Sequence, residues 1–301
     1  MASSPYNIED VYKEFVTISG YFGEEKTNSG SKTQVTNGAI HNYCHYGDTP
    51  GKGNCSDYFQ MVSSGVIHLL NNLKGKNVLD YDKLAEYAIL WLSYKLYIKE
   101  NNTARNLNDF YNSYIETNKD YNKNIKDTNL TYKAIIDKKK DLMDNNEISK
   151  FDAPFNILYF LYYEISDEHP DCNTNLSIAK NFAEQFEKLN NDSNINGNTS
   201  YSKLLSTLSD DYNILKNKCP KFQSLSEIKR SQSSAENSVE APGKVSGQPT
   251  ALIPEGTSSS SSILNTVIPG LSTFAIPIFL VVAYKTIYKK KNKKSKEENE
   301  T

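Results

Sequence analysis

The chain has 301 residues, 38% of them hydrophobic, which is enough for one or two domains with a sizeable core. Its net charge of −2 is unevenly placed: from Lys285 onward seven lysines face three glutamates, whereas the remainder carries 27 basic and 33 acidic residues. A mildly acidic body lacks the basic face that nucleic acid demands, so nucleic acid is excluded as a partner.

The N-terminus, MASSPYNIEDVYKEF, has no basic segment followed by an apolar one, and no ordinary cleaved signal peptide is expected there. Helical periodicity then runs through most of residues 6–230. It predicts helices over Ile8–Ser19, Asp57–Leu73, Asp80–Lys99, Leu107–Tyr121, Leu130–Asn145, Pro154–Ile165, Asn175–Leu189 and Ser202–Lys218. The clearest case is Asp80–Lys99, where Leu84, Tyr87, Trp91, Tyr94 and Ile98 fall on one stripe that Ala88 and Leu92 widen, with Asp80 placed to cap it. The stripe reads as core and not as a cofactor box. Asn-Gly pairs at 37–38 and 196–197, and Gly47, Gly51 and Gly53, mark loops. No run alternates apolar and polar residues as a strand would, so the expected class is all-α: a single helical head over residues 1–230.

At residues 231–262 the composition changes to ten Ser, three Pro and three Gly with no aromatic residue. Such a segment buries too little apolar surface to offset ordering and reads as a flexible stalk. Residues 263–284 follow as a candidate transmembrane helix: Ile263 to Ala283 carries no charge, and about 21 residues at ~1.5 Å each span roughly 31 Å, close to a bilayer core. Pro269 and Pro277 are tolerable in a membrane helix. Tyr284 and Tyr288 fall at headgroup depth, and the lysines 285, 289, 290, 291, 293, 294 and 296 form a short basic tail over residues 285–301. The positive-inside bias keeps this tail cytosolic, against anionic lipid, and puts the head outside. A tail-anchored chain would have the reverse topology.

The inventory for chemistry is thin. GDTPGKG at 47–53 is one residue short of a phosphate loop, with Gly53 where the hydroxyl should stand. His41, Cys44, His45 and Cys55 carry zinc-ligand chemistry, but adjacent ligands at 44 and 45 would strain a closed site. His68 falls inside a helix and reads as a packed residue. No acid, base and nucleophile stand together, so neither an enzyme nor a cofactor is expected. Cys44, Cys55, Cys172 and Cys219 are an even set with three possible pairings. Outside the cytosol disulfides are expected, and Cys44–Cys55 with Cys172–Cys219 is the simplest arrangement. Six Asn-x-Ser/Thr sequons (Asn54, Asn101, Asn129, Asn175, Asn191, Asn198) are attributed to the abundance of asparagine and are given no function.

Several segments together resemble one family. HNYCHYGDTPGKGNCSDYFQMVSSGVIHLL, YAILWLSYKL, LNDFYNSYI, KKKDLMDNNEISKFDAPFNILYFLYYE, NTSYSKLLSTLSDDYNILKNKC and VIPGLSTFAIPIFLVVAYK are similar, in order, to the Plasmodium interspersed repeat proteins of rodent malaria parasites. The resemblance implies a helical ectodomain with one C-terminal span, in a variant multigene family exported toward the infected red cell. It implies a non-enzymatic surface antigen that engages a host protein or receptor and evades immunity. An intracellular membrane-tethered scaffold is the alternative. Members lack a cleaved signal peptide, consistent with the N-terminus here. The chain departs from the family in having Val66 and Tyr159 near positions where many members carry further cysteines, and in its shorter tail. Arg105 to Asp109 fits the RxLx[EQD] form of a malarial export motif, but it opens a predicted helix and is read as coincidence.

Overall fold

The computed structural model describes residues 7–26, 32–47, 53–75, 80–99, 106–165 and 171–229. The stalk, span and tail expected over 231–301 lie outside them. The described part is mostly helical. Its long helices are α1 (Ile8–Ser19), α2 (Tyr58–Gly75), α3 (Tyr81–Tyr97), α6 (Asp152–Glu164), α7 (Leu176–Asn190) and α9 (Thr199–Lys218). Shorter ones are α4 (Leu107–Phe110), α5 (Tyr132–Asp137) and α8 (Ser193–Asn196). No helix among the described residues is long and apolar enough to cross a membrane.

The centre of the fold is α3. It packs against α2, α5 and α6, and every residue from Leu84 to Leu96 is buried. The expected stripe is therefore only part of its contact surface. The helix is enclosed on all sides, and Ile98, placed on the stripe by spacing, is half-buried at the C-cap. Asp80 caps the helix as expected, its carboxylate accepting from the Lys83 N–H at 2.8 Å. Trp91 reaches Gly65 of α2 so closely that a Cβ there would meet its Cη2 at 2.5 Å. Aromatic rings fill the α1–α3–α6 junction: Tyr12 stacks on Tyr162 at 4.1 Å, and Phe15 meets Phe155 edge-on at 5.3 Å.

Asparagine has a structural use that composition alone did not reveal. Asn7, Asn37, Asn106, Asn118, Asn145 and Asn198 each accept a backbone N–H at the start of a helical turn. Such a cap contributes about 1 kcal/mol.

Three local expectations are corrected. Phe22–Lys26 and Lys32–Thr36 form an antiparallel hairpin, β1 and β2, with Phe22 opposite Thr36. Sequence gave no alternation because Phe22 and Val35 are the only apolar side chains in the pair. Phe22 alone supplies the anchor, buried edge-on against Trp91 and Tyr58. The predicted helix over 107–121 breaks after α4 into a π-turn at Tyr111–Ile115. There the Tyr114 carbonyl accepts from the Ser63 and Tyr46 hydroxyls, and the Asn118 side-chain amide donates to the Tyr43 carbonyl at 2.7 Å. Tertiary partners outside the helix have taken over the Tyr114 carbonyl. The predicted helix over 130–145 ends at Asp137 and continues as a 3₁₀ turn, Lys140–Leu142, where Lys139 turns inward to pair with Glu86 at 3.0 Å.

Candidate functional site

The four cysteines form two disulfides, Cys44–Cys55 and Cys172–Cys219, with Cα–Cα separations of 5.2 and 5.5 Å. No free cysteine is left. The first bond closes the loop between the 3₁₀ turn Gly38–Tyr43 and α2. Gly53 passes so close to Cys44 that a Cβ would fall on the Cys44 carbonyl, so the loop requires glycine for a close approach and not for a left-handed conformation. The second ties the segment before α7 to the end of α9.

The Cys44–Cys55 disulfide removes both cysteines from the zinc-like set. The two histidines of that set have separate roles. His41 Nδ1 accepts from the Cys55 N–H at 3.1 Å, and His45 Nδ1 lies 2.5 Å from Asp120 Oδ2. Asp120 is fully buried, accepts from the His45 N–H as well, and pairs through Oδ1 with Lys123 at 2.6 Å. It thereby fixes the disulfide loop to the segment after the π-turn. His68 packs between Tyr21 and Tyr43 with Nε2 2.8 Å from the Ala39 carbonyl oxygen, and burial holds its pKa below the usual imidazole value. Among the described residues no group of three or more His, Cys, Asp or Glu is placed to hold a metal. His169, Arg105, Asn101 and residues 48–52 of the glycine-rich loop lie outside the described residues.

Sequence reasoning missed the charged groups inside the core. Asp211 of α9 is fully buried and accepts from the Tyr87 and Tyr12 hydroxyls at 2.8 and 3.0 Å. Burial raises its pKa to about 7, against the opposing pull of those two hydrogen bonds. Lys95 of α3 is buried beneath three aromatic faces, its Nζ 4.4 Å from the Phe22 centroid, 5.8 Å from Trp91 and 6.0 Å from Tyr58. Burial lowers its pKa to about 7, while the ring faces favour the ammonium form. Glu86 accepts from Lys83, Lys139 and the Thr207 hydroxyl at 3.0–3.1 Å, a buried cluster joining α3, the turn after α5 and α9. Glu86 and Lys95 stand nine residues apart, on opposite sides of α3 at ~100° per residue, and each is the kind of letter that a solvated helix face carries. No feature of a single sequence separates such a face from a helix enclosed on all sides.

These groups brace the core, and none of them faces a substrate-sized cleft. A shallow polar depression of about 470 Å³ lies over Asn145, Glu147, Ser193, Asn194 and Tyr201. Asn145 and Tyr201 already bond each other there. The described part is thus a disulfide-braced helical head, of the class that presents a surface. The family model described as Plasmodium variant antigen protein Cir/Yir/Bir matches residues 12–285, and the chain belongs to that family. It is similar, at 31% identity and a TM-score of 0.53, to a solved structure of a Plasmodium PIR protein ectodomain, over 74% of this chain and 96% of that one. No curated protein matches.

Proposed function

We propose that this chain is a non-enzymatic variant surface antigen of the infected red cell. Its helical head faces outward on the 231–262 stalk, anchored by the apolar segment 263–284, with the lysine tail on the cytosolic leaflet. The head engages a host protein or receptor, and changes on its surface serve immune evasion. The observation that carries this reading is the pair of disulfides that consumes all four cysteines. Such bonds persist in oxidising spaces and are rare in the cytosol. Membership of a variant antigen family supports the same conclusion.

The test is antibody labelling of the head on intact, unpermeabilised infected cells, paired with protease shaving. Labelling lost after shaving, with a tail epitope retained, is the expected result. A head that labels only after permeabilisation would replace this reading with an intracellular scaffold.

A further inference from the structure

Residues 219–229 leave α9 and run back along α7. Cys219 ends the helix and is bonded to Cys172, just ahead of α7. Pro220 has no N–H with which to continue the helix. Phe222 is buried and stacks on Tyr212, whose hydroxyl donates to the Gln223 carbonyl at 2.9 Å. At the far end stands Asn190, the last residue of α7, with no exposed surface. Its Nδ2 donates to the Ser226 hydroxyl at 3.0 Å and to the Glu227 carbonyl at 2.8 Å, and its Oδ1 accepts the Lys229 N–H at 2.8 Å. All the side-chain hydrogen bonds of this buried amide therefore go to residues 226–229.

The lengths agree with an extended strap. The Lys221 ammonium donates to Asn173 Oδ1, and the Lys229 ammonium to Asn191 Oδ1. From 221 to 229 an extended chain covers roughly 26 Å, and α7 with its leading turn covers about 27 Å from Asn173 to Asn191. The strap begins at one pole of the head and ends at the other. At the first pole are the Cys172–Cys219 bond and, through the Lys218–Glu9 ion pair at 2.5 Å, the start of α1. At the second are the end of α7, α8 and the start of α9.

We infer that residues 219–229 select the pole from which the chain leaves the head. Clasped on Asn190, the strap delivers the chain to the α8 pole. Released, it hinges at Cys219, where the disulfide holds it, and the chain departs from the opposite pole. The two states differ by seven hydrogen bonds and by the burial of Phe222 on Tyr212, all of them contacts of the strap and none between the long helices.

The test is electron–electron distance spectroscopy on the full chain in detergent. Spin labels are carried on non-natural residues at exposed Ser177 and Glu227, which leaves the disulfides untouched. The wild-type chain should give one narrow distance near 20 Å, as the helical rise between residues 177 and 190 requires. Asn190→Ala severs the clasp from the helix side, and Ser226→Ala with Lys229→Pro removes two of its three hydrogen bonds from the strap side without altering a buried residue, leaving only the bond to the Glu227 carbonyl. Each should lower the clasped-to-released ratio by roughly tenfold or more and broaden the distribution, with far-ultraviolet circular dichroism unchanged. A broad wild-type distribution, or a narrow one in the strap-side variant, overturns the inference. If Asn190→Ala fails to fold, the strap-side variant decides alone. The readout concerns the head itself, so it is independent of whether the chain is displayed on a cell.

Discussion

Asp211→Asn should remove a pH dependence that the wild-type fold carries. The Asp211 carboxyl has its pKa raised from 3.8 to about 7 by burial. Between those values the folded state holds a proton that the unfolded chain gives up. Its contribution to stability is therefore complete below pH ~4 and is lost as pH rises through 7. A shift of about 3 units corresponds to ~4 kcal/mol over the whole range, of which about 2–3 kcal/mol falls between pH 5 and 8. Asparagine matches the neutral acid in shape, can accept from Tyr87 or Tyr12, and does not titrate. Lys95 works in the opposite sense: burial lowers its pKa from 10.5 to about 7, so its contribution makes stability rise from pH 7 towards 10.5. The decisive quantity is consequently the difference between variant and wild type, in which the Lys95 contribution cancels. Urea unfolding of residues 1–230 at several values from pH 5 to 8 should show Asp211→Asn gaining about 2–3 kcal/mol on wild type across that range. A difference that stays flat with pH would refute the assignment of Asp211 as a titrating core group.

Three further outcomes are expected. Gly53→Ala places a Cβ on the Cys44 carbonyl and should keep the Cys44–Cys55 bond open, so that thiol titration of the denatured, unreduced protein finds two reactive thiols where wild type has none. Replacing Cys172 and Cys219 with serine should cost more than replacing Cys44 and Cys55, about 4 against about 3 kcal/mol by closure entropy. The reason is that the bonds span 47 and 11 residues, and urea midpoints measure the order. Gly65→Ala drives a methyl group into Trp91 and should destabilise by about 1–3 kcal/mol, read from the midpoint of the Trp91 fluorescence transition.

The long helices were legible because their apolar spacing and caps agree: α1 begins and ends where the sequence places it, and α3 starts after Asp80. Legibility failed where a partner distant in sequence decides the backbone. The π-turn at Tyr111–Ile115 depends on hydroxyls from Ser63 and Tyr46, and the turn after Asp137 accompanies an ion pair to Glu86. The hairpin was silent because one buried phenylalanine makes no period. The charged core was hidden for a related reason. Asp211, Glu86 and Lys95 are polar letters in helical sequence, and only the packing of neighbouring helices determines whether such a letter meets water. The four cysteines were visible as an even set, whereas their pairing depends on which chain segments the fold brings within about 5–6 Å.

The placement of these groups bears on how a variant protein can change without unfolding. Surface substitutions away from special features usually cost within about 0.5 kcal/mol, whereas breaking a buried charge pair costs about 3–5 kcal/mol. In this head the costly positions lie inside. Glu86 and Asp211 each bind partners from two or three helices, Trp91 presses on Gly65, and the disulfide of Cys44 requires Gly53 beside it. The large exposed apolar side chains among the described residues are Tyr97 and Leu176, which stand on different helices. Surface positions outside the caps and ion pairs are the ones that change at little cost. A fold stabilised from within by ion pairs, aromatic stacks and two covalent bonds leaves that surface free to vary, which is the physical condition for one scaffold to present many antigenic faces.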